Sequence, residues 1–390
     1  MTVAAAPGLD LERFRASAEA WLAANAPAKG SPDDFTSGRE REFVDGCRRW
    51  QGRLHAAGWA GITWPAAHGG LGLPPVYDLA FRRLQSRFGA STAALEVGLG
   101  MVAPTIMKHG TEEQQAAHLP ALLRGDEVWC QMFSEPGAGS DLAGLTTAAR
   151  RRGRGWVIDG QKVWTSYARF ADYAALLARS DPDRPKHRGI TFFLLDMRSP
   201  GIEVRPIRQM NGAAEFNQVF LNGVEVPDEA VLGEVHGGWT VASTLLGNER
   251  GLTGDDWLDA DDLVSLARAK GVSGDAKVRQ GIAEVFVGRE LLRYLDLRVQ
   301  ERMAAGQPIG PLASIVNLAL ARHLRRSSEV ASQLLGPALV AGADDAATGW
   351  AFQVLTAPCV RIASGTDEIQ RNILGERTLG LPREPRPVAP

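Results

Sequence analysis

Phe133-Ser134-Glu135-Pro136-Gly137-Ala138-Gly139-Ser140-Asp141 is the stretch on which the reading of the chain turns. Two glycines and two hydroxyls around a proline make a tight turn, and such a turn can aim backbone N–H groups at an anion. An ordinary surface turn explains the same residues equally well. What gives the stretch its weight is the change of texture on either side of it.

Upstream, to about residue 126, the pattern is helical. Leu11, Phe14, Ala18, Trp21 and Leu22 recur at helical spacing, and Asn25 and Pro27 close that run. Phe43, Cys47, Trp50, Leu54 and Ala57 repeat it, with Gly58 as the stop. Thr111 with Gln114 three residues on is a capping-box signature. The loop from Trp64 to Pro75 carries Gly69, Gly70 and Gly72 and cannot be helix.

Downstream, from about 127 to 236, the pattern is β. Trp156-Val157-Ile158, Asp159-Gly160 and Val163-Trp164 predict a hairpin. Val219-Phe220-Leu221, Asn222-Gly223, Val224 and Val226 predict a second one. The apolar run Ile190 to Leu195 predicts a buried strand. From about 237 to 390 helical periodicity returns. Leu291, Leu292, Leu295 and Val299 are one example, and Leu312, Ile315, Val316, Ala319 and Leu320 another. The expected architecture is α+β: an N-terminal helical domain (1–126), a middle β domain (127–236) and a C-terminal domain of four-helix-bundle type (237–390).

Two more segments carry chemistry. Lys162-Val163-Trp164-Thr165-Ser166 ends a strand in a large ring followed by two hydroxyls. The ring can pack on a planar cofactor while Ser166 donates to it; a core tryptophan with two edge hydroxyls is the plainer alternative. In Arg361 to Asn372, Thr366 reads as an N-cap with Asp367 and Glu368 in the first helical turn. That is either a well-capped terminal helix or a helix start offering N–H groups to a ligand.

Bulk properties exclude several classes. The chain has 390 residues, is 45% hydrophobic and carries a formal charge of −2, so no strong field draws it to nucleic acid or anionic lipid. Cys47, Cys130 and Cys359 lie far apart without a CxxC pair, which speaks against a disulfide framework. Met1 to Asp10 lacks the basic patch and apolar run of a secretory signal, and no apolar stretch approaches the roughly 20 residues of a spanning helix. A cytoplasmic setting without membrane insertion is expected. The histidines at 55, 68, 109, 118, 187, 236 and 323 show no ligand spacing, so no metal site is expected. Gly233, Gly237 and Gly238 do not form a dinucleotide fingerprint after a strand.

Taken in order, a GGLG loop, SEPGAGSD, KVWTS, MNGAAEFNQVFLNGVEVP, a helix ending in NERG, and SGTDEIQRNILGERTLGLPRE resemble the landmarks of the acyl-CoA dehydrogenase family over nearly the whole chain. The similarity is to the bacterial branch that often acts on bulky or branched acyl groups, sometimes as mixed two-subunit assemblies. The resemblance implies a middle domain of β-barrel type, FAD as cofactor, an acyl-CoA substrate and an electron-transfer flavoprotein as electron acceptor. It also implies a homotetramer, or a heterotetramer with a related subunit. Carried over residue by residue, Ser134 and Ser140 would bond the flavin ring and its pyrophosphate. Trp164 would flank the isoalloxazine, with Ser166 near N5 and O4. Thr366 and Glu368 would contact FAD at the start of the last helix, and Gln333 and Arg302 from a neighbouring subunit. At Gly336-Pro337 the family shows two glycines, and the proline removes a backbone donor.

The family's usual base position, just before the GT of the last motif, holds Ser364, which cannot serve. Some members place the glutamate on the helix opening the C-terminal zone, and there this chain has Glu249. Glu249 is thus the expected base, with an ion-paired glutamate of the bundle as the alternative. Ser364 and Pro337 keep two other readings open: a flavin oxidase or monooxygenase on the same fold, and a non-catalytic subunit of a mixed assembly. The acyl group and its carrier, CoA or an acyl-carrier protein, stay open as well. Gly98, Gly100, Ser243 and Ser364 either leave room for a bulky acyl chain or are ordinary small residues at helix crossings.

Overall fold

The computed structural model describes residues 10–36, 40–249, 259–307, 309–342 and 345–383. Among these the chain divides into two compact units, residues 1–209 with 213–252, and residues 210–212 with 253–390.

The first unit begins with α1 (Leu11–Asn25), α2 (Glu40–Ala56), α3 (Pro75–Gln85), α4 (Ala103–His109) and α5 (Glu112–Arg124). Asp10 caps α1 through Glu12 N. Thr111 and Gln114 form the expected reciprocal box at the start of α5, satisfying two N–H groups that a helix end leaves orphaned. The residues before α4, Val97–Val102, wind as a π-helix.

Seven strands follow: β1 (Trp129–Met132), β2 (Ala148–Arg152), β3 (Gly155–Ser166), β4 (Tyr173–Arg179), β5 (Ile190–Asp196), β6 (Ile202–Pro206) and β7 (Phe216–Pro227). They form one mixed sheet in the order β1-β4-β2-β3-β7-β6, with β5 on β4. The apolar run in β5 is explained by burial on both faces. Ile190, Phe192 and Leu194 join a core with the N-terminal helices, whereas Phe193 and Leu195 join a second core among the strands.

Neither predicted hairpin exists. β3 and β7 are each continuous twelve-residue strands paired antiparallel to one another. Asp159-Gly160 and Asn222-Gly223 face each other across a bulge, where Asn222 and Gly223 stand opposite Asp159 alone. Gly223 takes φ +63° and its N–H donates to Asp159 Oδ1 at 2.8 Å. The turn-forming dipeptides are real, but they bend two long strands instead of reversing them. The actual hairpin in this region joins β2 to β3 through Gly153-Arg154, with Gly153 at φ +59°.

α6 (Gly238–Glu249) starts hard against β5. A Cβ on Gly238 would meet Phe192 N at 2.6 Å and Thr191 C at 2.7 Å, so only glycine lets the helix approach this closely. Val241, Ala242 and Leu245 of α6 belong to the core of the N-terminal helices.

The second unit is helical: α7 (Ala260–Ala269), α8 (Ala276–Ala304), α9 (Leu312–Leu335), α10 (Pro337–Ala341), α11 (Asp345–Val360) and α12 (Asp367–Arg377). Leu263, Val285, Val330, Ala331 and Trp350 lie in its core. Pro337 stands at the first position of α10, where the missing N–H costs the helix nothing. The expected periodicity of α8 is present, but Leu291 is 57% exposed.

Candidate flavin site

In the first unit the predicted residues meet where the segment after β1 crosses the end of β3. Glu135 and Ala138 exchange backbone hydrogen bonds at 3.1 and 3.0 Å, which closes a two-residue turn over Pro136-Gly137. A Cβ on Gly137 or Gly139 would meet nothing within 4 Å, so the turn presents open backbone to its surroundings. Ser134 is half-buried at the inner end of the turn, and Ser140 is exposed at the outer end. The Ser134 carbonyl accepts from Val163 N at 2.9 Å, which ties the turn to β3.

β3 carries a second bulge at this point. Val163 and Trp164 together stand opposite Gln218 of β7. Trp164 adopts φ +61°, a left-handed conformation rare for a bulky residue and costing roughly 1–3 kcal/mol. Its indole is 58% exposed and lies edge-on to Phe216 with ring centroids 6.0 Å apart. Ser166 pairs with Phe216 at the strand end and is half-buried. Strain of this kind persists only where the surroundings over-determine it, and it clusters at ligand sites.

Beneath the turn lies a group that the sequence reading did not assign. Lys162 is fully buried, and its Nζ donates to Phe133 O at 3.0 Å and Glu135 Oε1 at 2.8 Å. Glu135 also accepts from Thr146 N at 2.7 Å, Thr146 Oγ1 at 2.8 Å and Thr147 N at 2.9 Å. Burial alone would raise the Glu135 carboxyl; the Lys162 ammonium and the threonine donors hold it down at about 2. Both residues sit inside the quoted motifs. The available signal was a lysine on the inward parity of an apolar strand, a residue almost never buried without a partner.

The remaining predicted residues are placed as follows. Glu249 ends α6; its side chain, like residues 250–258, lies outside the described residues. Ser243 is exposed on α6. A Cβ on Gly98 would meet Leu122 Cδ2 at 2.6 Å, and one on Gly100 would run into the Glu96 carboxylate, so both glycines stand directly against neighbouring side chains.

In the second unit Thr366 caps α12, its hydroxyl accepting from Ile369 N at 3.3 Å. Glu368 beside it is exposed, while Asp367 is buried and accepts from Arg361 Nε at 2.9 Å. Ser364 takes φ +54°, and its carbonyl accepts from Gln370 Nε2 at 2.7 Å. Asp367 Oδ1 and Gln370 Oε1 are buried without a hydrogen-bond partner among the described residues. Gln333 on α9 and Arg302 near the end of α8 are exposed. No cluster of three His, Cys, Asp or Glu that could hold a metal occurs among the described residues.

Three family models cover almost the whole chain: the acyl-CoA dehydrogenase N-terminal domain over residues 10–126, the middle domain over 130–224 and the C-terminal domain over 236–379. The acyl-CoA dehydrogenase IpdE1 of Mycobacterium tuberculosis is 36% identical over 387 residues, which is 96% of this chain and 99% of that protein. Among solved structures, the Tcur3481-Tcur3483 steroid ACAD superposes with a TM-score of 0.81 at 29% identity, covering 97% of this chain and 100% of that one. The ChsE4-ChsE5 complex from M. tuberculosis gives 0.79 at 26% identity, covering 98% and 100%. The chain belongs to the acyl-CoA dehydrogenase family, oxidoreductases that act on CH–CH bonds.

Proposed function

We propose that the protein catalyses FAD-dependent α,β-dehydrogenation of an acyl-CoA thioester and passes the electrons to an electron-transfer flavoprotein. The observation that carries this is Trp164: a strained, exposed indole raised on a bulge between Ser134 and Ser166. A planar ring stacks on such a face, and the open backbone at Gly137 and Gly139 leaves room for an anionic tail beside Ser140. The residues present therefore fit the cofactor that the family pattern implies. Thr366 and Glu368, and from a neighbouring subunit Gln333 and Arg302, are its further contacts in this reading.

When bound, FAD supplies the hydride-accepting ring. The chain supplies the rest. Glu249, through its carboxylate, removes the α-proton of the thioester. Such a proton is too weakly acidic for an unassisted carboxylate, so donors to the thioester oxygen must stabilise the forming enolate. Trp164 and Ser166 orient the acceptor ring and exclude water from it.

The acyl group in this reading is bulky and polycyclic, as the relatives described as steroid enzymes suggest. The assembly is a tetramer with itself or with a related subunit. Phe286, Val287, Leu291 and Tyr294 of α8 are all exposed, and 287, 291 and 294 fall on one helix face. A helix that shows water this much apolar surface is covered by another subunit. The ChsE4-ChsE5 complex shows that a similar chain assembles with a second one.

Glu249→Gln tests the base. Flavin reduction by substrate should fall by about 10²–10⁴-fold with FAD still bound. Near-normal reduction in that variant would remove Glu249 from the mechanism.

A further inference from the structure

Trp164 does not hold its conformation by itself. A tryptophan at φ +61° needs neighbours that fix the chain on both sides, and the register of β3 against β7 slips there by one residue. A slip in the ladder takes away the regular hydrogen bonds that would otherwise set the strand. Something else must do so.

On the upstream side it is Lys162, the last residue in register before the bulge. Its ammonium is anchored in the protein interior on Phe133 O and Glu135, and Val163 N is bonded to Ser134 O. On the downstream side it is Asn217. This residue is fully buried, and its Nδ2 donates to Thr165 O and to Glu215 O, both at 2.9 Å. Thr165, the first residue back in register, is thus held by a side chain from the opposite strand.

A buried ion pair is a poor stabiliser, since well-packed apolar residues of similar volume do as well or better. One next to a strained exposed ring has another use. We propose that Lys162, with its partner Glu135, and Asn217 are positioning residues that pin the indole of Trp164 where a planar ring ligand stacks. This rests on the flavin reading above. The pins also make Ser134 and Trp164 one rigid piece, because the turn and the bulge share the Lys162 anchor.

A double-mutant cycle on FAD affinity tests this, with apoprotein titrated with FAD and followed by flavin fluorescence. Trp164→Ala should weaken binding by roughly tenfold, the scale of one lost stacking contact. Asn217→Ala, and the charge-neutral pair Glu135→Gln with Lys162→Met, should each weaken it by a similar factor. Adding Trp164→Ala to either should then weaken it no further, because both act through the indole. Effects that multiply, or an Asn217→Ala chain that binds as the wild type does, would overturn the proposal. Should the charge-neutral pair fail to fold, the Asn217 arm decides.

The anisotropy decay of Trp164 emission, taken as the difference from Trp164→Phe, reads the same pin without cofactor. It should show a fixed ring in the wild type and a mobile one in Asn217→Ala. An unchanged ring would overturn the proposal. A wild-type chain that takes up no FAD but keeps the fixed ring would instead count against the flavin reading alone.

Discussion

β5 and the second half of α8 are both apolar, and they end in opposite environments. Residues Ile190 to Leu195 of β5 are buried without exception. Beyond Val285, α8 has exposed apolar residues at 286, 287, 291, 294 and 297. The strand is enclosed by its own unit because the helices before it and the strands around it supply both faces. The helix has one face on the bundle, and its other apolar face has no cover among the described residues. The difference separates a region that its own unit encloses from one whose apolar face stays exposed among the described residues, the face proposed above to meet another subunit.

This contrast breaks most readily when apolar surface is cut from each region in turn. Phe192→Ala should cost the folded chain about 3–5 kcal/mol by denaturant unfolding, because it leaves a cavity between packed layers. If the first unit tolerates it with less than about 1 kcal/mol, the two-sided enclosure of β5 is misread.

Lys162→Met probes the same unit through charge. It should cost about 3–5 kcal/mol, since it strands the Glu135 carboxylate in the interior, while the charge-neutral pair with Glu135→Gln should recover most of that. Equal losses in both would show that the pair works by shape alone.

Acid should separate the two units in order. In the second unit His323 is 6% exposed on α9, and its Nδ1 has no hydrogen-bond partner among the described residues. Burial holds it below its usual 6.5, with Arg289 of α8 acting in the same sense and Asp259, the cap of α7, opposing. The unfolded chain therefore takes up a proton first, and this contribution to stability begins to fall as pH drops through about 6.5. Glu135 is the reverse case. Its folded value is depressed to about 2 from 4.5, so its contribution is complete above 4.5 and is lost as pH falls from there towards 2. Hydrogen exchange followed by mass spectrometry from pH 7 to 4 should show α9 opening before β3. Simultaneous opening would contradict the assignment.

The smallest effect on the folded chain is expected at the exposed helix face. Leu291→Ser should change unfolding stability by no more than about 0.5 kcal/mol, yet lower the sedimenting mass of the assembly. An unchanged assembly would mean that α8 is not the covered face.

The same contrast explains what could be read from sequence. Caps and periodicity are local, so the repeat from Leu11 to Leu22 announced α1, and Thr111 with Gln114, and Thr366, announced α5 and α12 within a few residues. The ring and hydroxyls of KVWTS are local too. The DG and NG dipeptides were misread as hairpin turns, because whether such a dipeptide reverses a strand or sits in a bulge depends on a partner some sixty residues away, as the bond from Gly223 to Asp159 shows. Parity alone marks Lys162 as buried, but the partners of the clamp beneath Trp164 were not legible for the same reason: Lys162 is 27 residues from Glu135, and Asn217 is 52 from Thr165. The helical repeat of α8 was legible, whereas the exposure of its face at 287, 291 and 294 depends on which side of the helix packs into the bundle through Val285.

Whether this chain oxidises acyl thioesters through a flavin held at Trp164 is decided by anaerobic titration of the purified protein with a panel of acyl-CoAs. The expected result is a yellow protein whose flavin absorbance bleaches with one class of bulky acyl-CoA, with one equivalent of α,β-unsaturated thioester formed per flavin reduced. Bound flavin that stays oxidised with every thioester in the panel, or that is reduced without unsaturated product, would contradict it.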